Sequence, residues 1–203
     1  MDELEVYEHL YEPGMGRRGQ YFIPTESELI NGFLKKKIER RPLPNEIIKE
    51  IPFLYEYPPE LLPIGKFKYA RNNEAYYFTH KGKIKPPNGE FLGGKKFDGE
   101  WKTEGVKEAC FGQNQILGFK RKLYLYRSEK RTGWVVKEYR YNPKRVPDHY
   151  LQNSVFHDFL LNYVVLKIKF NPDLRENFTA EESSFSISME DAKDLDVFQD
   201  FEG

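Results

Sequence analysis

Leu29, Ile30, Phe33, Leu34 and Ile38 recur at intervals of three and four residues and form one apolar face, so a helix is predicted there. It starts at Thr25. Thr25-Glu26-Ser27-Glu28 is a capping box, in which the threonine oxygen accepts from the backbone N–H three residues on and the glutamate reaches back. Pro42-Leu43-Pro44 stops this helix. Asn45 is read as the cap of a short second helix with Ile47, Ile48 and Ile51 on its buried side. Tyr57-Pro58-Pro59 through Leu62-Pro63 is a loop with room for one helical turn.

From there the pattern turns to β. Ala75-Tyr76-Tyr77-Phe78-Thr79 is a strand, and Pro86-Pro87-Asn88-Gly89 is a turn signal. Strands are predicted over 100–103, 116–126, 133–141 and 163–170, with residues 142–158 as a connection containing Pro and His. In the 116–126 strand Lys120 and Lys122 suit a solvent face, while Leu117, Phe119, Leu123 and Leu125 supply apolar contacts. The fold class read from this pattern is α+β: a twisted antiparallel β-sheet flanked by N-terminal helices. Aromatic residues make up 16% of the 203, which suits a sheet-based core.

Net charge is formally zero, but its distribution changes the picture. Residues 1–12 hold five acids and no Lys or Arg, and residues 171–203 hold ten acids against Arg175 and Lys193, so residues 13–170 carry a net +13. A basic body with acidic ends points to a polyanion partner, most simply nucleic acid. Lys35, Lys36, Lys37, Arg40 and Arg41 end the first helix, where cations suit the dipole. A solvated helix end and a DNA contact are both open readings of that run.

Other chemistries find little support. The single Cys110 provides neither a disulfide framework nor a cysteine zinc cluster, and its expected role is packing. His9, His80, His149 and His157 have no ligand spacing, and Gly93-Gly94 lacks the pattern of a phosphate-binding loop. No enzyme activity, metal or cofactor is expected. The acidic start is unlike a signal peptide and no apolar run approaches membrane-spanning length, so an intracellular, soluble protein without a membrane partner is expected. Three segments follow: an acidic extension over 1–14, a basic domain over 15–172 and an acidic tail over 173–203. The tail intersperses Phe178, Phe185, Ile187, Leu195, Val197, Phe198 and Phe201 among carboxylates, a composition shared by activation segments and by disordered solubilising tails.

Five blocks in order give a sharper reading. They are Gly19 to Ile30; Pro42-Leu43-Pro44 through Leu62-Pro63; Glu74 through Pro87-Asn88-Gly89 to Trp101-Lys102-Thr103-Glu104-Gly105; Leu117 to Tyr126 with Thr132-Gly133-Trp134 to Arg140; and Asn162 to Ile168. Together they resemble the NAC family, the plant transcription factors of the NAM/ATAF/CUC type. The first block stands where that family writes G-F-R-F-H-P-T-D-E-E-L-V, and the third ends in its W-K-A-T-G strand.

The resemblance implies a nuclear, sequence-specific regulator of transcription. It would bind double-stranded DNA with a CGT-centred core by inserting the strand around Trp101–Gly105 into the major groove. The implied DNA-binding residues are Lys85, Lys95, Lys96, Trp101, Lys102, Thr103, Glu104, Lys107, Lys120, Lys122, Lys130 and Arg131. A β-strand fits the major groove, where Lys102 meets a base edge or a phosphate and the Thr103 methyl meets a thymine methyl. The other lysines suit phosphates. Packing is the alternative role for Trp101 and Trp134, and a solvated strand face or a nuclear-import patch for Lys120, Arg121 and Lys122. The resemblance also implies a homodimer or heterodimer through the first block, with Tyr21 and Glu28 at the interface, and a transcriptional co-regulator as partner of the tail.

Among the departures from the family, Phe91, Gly94 and Glu104 favour an alternative, a protein-interaction or heterodimer module with weak or lost DNA readout. The family's basic residues fall at Phe91 and Gly94, and its threonine falls at Glu104. The loop before Trp134 is shortened to Arg127-Ser128-Glu129-Lys130-Arg131. The family's arginine is Tyr21, so one half of an inter-subunit ion pair is missing. Such a surface pair is worth about 0–1 kcal/mol, so its absence alone does not prevent pairing.

Overall fold

The computed structural model describes residues 21–44, 47–64, 69, 71, 73–81, 97–147, 150 and 152–174. Helix α1 begins at the predicted capping box. The Glu28 carboxylate accepts from the Thr25 backbone N–H (2.7 Å) and hydroxyl (2.8 Å), and the Glu28 N–H donates to Thr25 Oγ1 at 3.2 Å. The helix is π-wound over Glu28–Leu34, with the Lys35 N–H bonded to the Ile30 carbonyl, and α-helical over Lys35–Ile38. Leu29, Ile30, Phe33, Leu34 and Ile38 are all buried, as their spacing predicts.

Six strands form one twisted sheet: β1 (Lys49–Glu50), β2 (Glu74–His80), β3 (Glu100–Gly112), β4 (Gln115–Arg127), β5 (Lys130–Tyr141) and β6 (Tyr163–Phe170). Their order is β1-β2-β6-β5-β4-β3. The sheet is mixed rather than antiparallel, because β1 pairs parallel to β2 through Lys49↔Tyr77 and Glu50↔Phe78. Every other pairing is antiparallel.

Alternation along the strands supplies a separate core on each face. On the helix-side face, Tyr76 and Phe78 of β2, Val165 of β6 and Tyr139 and Tyr141 of β5 meet the buried face of α1. Phe22 stands edge-on to both Phe33 and Tyr76, with ring centroids 5.6 and 5.1 Å away. On the far face, Ala75, Tyr77, Val164, Leu166, Ile168, Trp134, Val136, Leu123 and Leu125 pack under Ile51, Leu54, Tyr57 and Leu62. The segment bearing those four contains two single 3-10 turns, Leu54–Glu56 and Pro59–Leu61.

Three expectations are corrected. There is no second helix over 47–51: those residues enter the sheet as β1, although Ile48 and Ile51 are buried as expected. The helices flanking the sheet at the N-terminal side thus reduce, among the described residues, to α1. Asn45 lies outside them. Strand β3 runs to Gly112 rather than ending at Thr103. The connection after β5 contains helix α2 (Ser154–Asn162), capped by Asn153, whose side-chain oxygen accepts from the Val155 and Phe156 N–H groups at 3.1 Å each. The turn at 86–89, the acidic extension and the tail beyond 174 lie outside the described residues.

Candidate nucleic-acid interface

Among the described residues strand β3 is an edge of the sheet, paired only with β4. Thirteen residues of edge invite pairing with another chain unless the strand is disrupted. Here a bulge disrupts it. Glu104 pairs with Lys122 and Glu108 with Lys120, so four steps on β3 span two on β4. Gly105 takes φ +79°, a left-handed conformation that suits glycine, and Val106 is thrust out, 79% exposed. Lys107 returns over the Phe119 ring, its Nζ 3.9 Å from the centroid.

The register sorts the β3 side chains. Trp101 pairs with Leu125 and packs into the far-face core, edge-on to Tyr55 at 6.4 Å, with its indole N–H buried and unbonded. The ring packs in the core, the alternative role given to it. Lys102 is exposed on the helix-side face, 3.3 Å from Glu100 and 5.0 Å from the Tyr126 ring centroid. Thr103 is exposed on the far face. Glu104 does not stand alone in solvent: it pairs with Arg131 at 3.3 Å and accepts from the Tyr126 hydroxyl. Arg131 in turn stacks over Tyr124, 3.5 Å from its centroid.

Several expected phosphate contacts are engaged within the protein. Lys120 lies between Glu26 (2.6 Å) and Glu108 (3.2 Å), and its hydrogen bond to Glu26 raises its pKa despite partial burial. It bridges α1 and the edge strand rather than facing solvent. The shortened loop is a tight turn with Ser128 and Glu129 both at positive φ. Of its three bases, Arg127 grips Glu60 through two bonds of 2.7 and 2.9 Å, Arg131 holds Glu104, and Lys130 remains half-buried at the start of β5. Lys122 is exposed. Lys85, Lys95 and Lys96 lie outside the described residues. Of the expected dimer residues, Tyr21 is 48% exposed and Glu28 closes the capping box.

Two charged groupings come into view only in the folded sheet. On the helix-side face, Lys122, Lys137 and Lys167 are directly opposite one another across β4, β5 and β6. Lys167 pairs with buried Glu74 at 2.9 Å, whereas neither Lys122 nor Lys137 is in an ion pair among the described residues. Burial, then the charges of Lys122 and Lys167, lower the pKa of Lys137. On the far face, fully buried Glu138 accepts from Arg121 (2.9 and 3.1 Å), Arg140 (2.7 Å), Lys81 (2.5 Å) and the Tyr55 hydroxyl. Burial pushes its carboxyl up, but the Arg121 and Lys81 bonds and charges outweigh that and bring it to about 2. The visible signal for both was the alternation Arg121-Lys122 and Lys137-Glu138, whose meaning depends on register.

Among the described residues the sheet is basic, and its long, bulged edge strand is paired on one side. The model of the family described as No apical meristem (NAM) protein matches residues 17–141. NAC domain-containing protein 76 of Arabidopsis thaliana is 29% identical over 126 residues, covering 60% of this chain and 33% of that protein. NAC domain-containing protein 1 of Solanum lycopersicum is 35% identical over 126 residues, covering 60% and 43%. NAC domain-containing protein 54 of Oryza sativa subsp. japonica is 36% identical over 126 residues, covering 60% and 19%. The chain thus spans less than half the length of each. With the family match extending over more than half of its residues, from before the capping box to the end of β5, the chain belongs to the NAM family of NAC-domain proteins.

Proposed function

We propose that this protein is a sequence-specific regulator of transcription that acts in the nucleus, binding double-stranded DNA with the β3 edge in the major groove. The observation that carries the reading is the 13-residue strand at the edge of the sheet among the described residues, bulged at Gly105 and presenting Lys102 and Thr103. It belongs to a body whose residues 13–170 carry a net +13. The major groove is about 12 Å wide and gives each base pair its own pattern of donors, acceptors and methyl groups, which an extended strand is able to read. Lys102 serves the base edge or a flanking phosphate, Thr103 a thymine methyl, and Lys85, Lys95, Lys96 and Lys107 the phosphates. The protein pairs with itself or with another NAC-domain chain near Tyr21, its acidic tail engages a co-regulator, and it catalyses nothing.

A second reading, a pairing module with weak DNA readout, is favoured by one set of observations. Lys120, Arg127 and Arg131 are each committed to a carboxylate of the protein itself. Fluorescence anisotropy of the full chain on a labelled duplex with a CGT-centred palindrome, against a scrambled duplex and across a salt series, separates the two. Salt-dependent binding that prefers the palindrome is expected. Equal, weak binding to both duplexes would reject sequence reading and favour the pairing module.

A further inference from the structure

From the lysine row on the helix-side face we infer a second phosphate-contacting site, resting on the DNA-binding reading, in which Lys122 and Lys137 grip the backbone strand along one rim of the groove that β3 enters. The argument is geometric. Neighbouring strands lie about 4.8 Å apart, so β4 is about 5 Å, β5 about 10 Å and β6 about 14 Å from the edge strand. The major groove is about 8.5 Å deep. An edge-on sheet therefore enters with β3 and β4 inside, and the phosphates of the rim stand level with β4 and β5. At that level on the helix-side face Lys120 and Arg131 are held in ion pairs, whereas Lys122 and Lys137 are opposite each other across the two strands and in none among the described residues. Lys122 is also opposite Glu104, two residues from Lys102, so the site continues the β3 surface without a break.

At the same level on the far face, Arg121 and Arg140 are bound to Glu138. On β6, beyond the rim, Lys167 is bound to Glu74. Lys122 and Lys137 make no ion pair among the described residues, although Glu104 is opposite Lys122 and the Glu26 charge reaches Lys137. Like charges directly opposite each other weaken a sheet, so the pair is unfavourable until an anion joins it. A bridging phosphate removes that repulsion. Because phosphates carry no sequence information, this site strengthens binding to any duplex and leaves discrimination to β3.

The test uses the full chain and its Lys122→Gln, Lys137→Gln and double variants, with Lys144→Gln, on an exposed turn outside the row, as control. Anisotropy is followed across a salt series on the palindromic and scrambled duplexes. Each lost phosphate contact lowers the slope of log K against log salt by about 0.9, which at about 0.15 M salt weakens binding roughly five-fold. The double variant is expected to lose about 1.8 from the slope on both duplexes equally, while Lys144→Gln loses nothing. The melting temperature of the lysine variants is expected to stay or rise, which separates lost contact from lost fold. Wild-type binding with an unchanged slope in the double variant would overturn the inference. An affinity loss confined to the palindrome would overturn it too, since that is base reading. If the wild type shows no salt-dependent binding to either duplex, the DNA-binding reading itself fails.

Discussion

Lys137 and Glu138 are consecutive residues of β5 that point to opposite faces, and they live in opposite electrostatic worlds. Glu138 is a buried anion surrounded by Arg121, Arg140, Lys81 and the Tyr55 hydroxyl. Lys137 is a half-buried cation flanked by two more cations. On the far face the charges satisfy one another, and the cluster ties β4, β5 and the segment bearing Tyr55 together. On the helix-side face they repel. A compensated cluster serves the fold, since removing one member strands the rest. In the lysine row only Lys167 has such a partner among the described residues, Glu74, so Lys122 and Lys137 set a repulsion against the fold.

The contrast breaks most visibly at Glu138. Glu138→Gln removes the only carboxylate that the cluster's cations share among the described residues, and a loss of about 3–5 kcal/mol in urea unfolding is expected. A loss below about 1 kcal/mol would show that the cluster is an incidental contact. The same residue sharpens the contrast through pH. Its folded pKa is depressed from the ordinary 4.5 to about 2, so its contribution is fully present above about pH 4.5 and fades as pH falls toward 2. The wild type is expected to lose stability in that window more steeply than Glu138→Gln, which unfolding curves at stepped pH would resolve.

Effects on binding come next. Lys102→Ala is expected to weaken duplex binding about five-fold or more, whereas Glu104→Thr strengthens it by removing a negative charge from the groove face and freeing Arg131 from its ion pair. Anisotropy with both variants checks the pair, and no change from either would sink groove insertion by β3. The smallest effect is the counterpart of the first. Lys137→Gln relieves cross-strand repulsion and is expected to add about 0.2–1 kcal/mol of stability. A destabilisation there instead would mean that the row has a structural role and that the two faces are not opposites.

Strands β2, β4, β5 and β6 were legible because one or both faces of each are buried, which leaves a strong apolar signature. The capping box of α1 was legible because Thr25 and Glu28 carry out their roles locally, three residues apart. Strand β3 past Thr103 was not. Glu104-Gly105-Val106-Lys107-Glu108 is exposed or half-buried throughout, so no alternation marks it, and its extension depends on hydrogen bonding to β4. The run after Asn45 reads as a helix by its isoleucines, yet Lys49 and Glu50 became strand because the edge of β2 offered a partner. The Asn153 cap that starts α2 was present in the sequence but hidden in a segment read as a connection.

By itself the sequence determined the family, the α+β class and the basic body, because apolar periodicity, charge blocks and motif order are properties of the chain. The tertiary structure alone decided which cations are available. Lys120 and Lys122 are two residues apart on one strand, and only packing assigns the first to Glu26 and Glu108 and leaves the second exposed. Whether a charge meets a partner is set by strand register and by what covers each face, and those contacts join residues up to about a hundred positions apart, as Lys120 and Glu26 do.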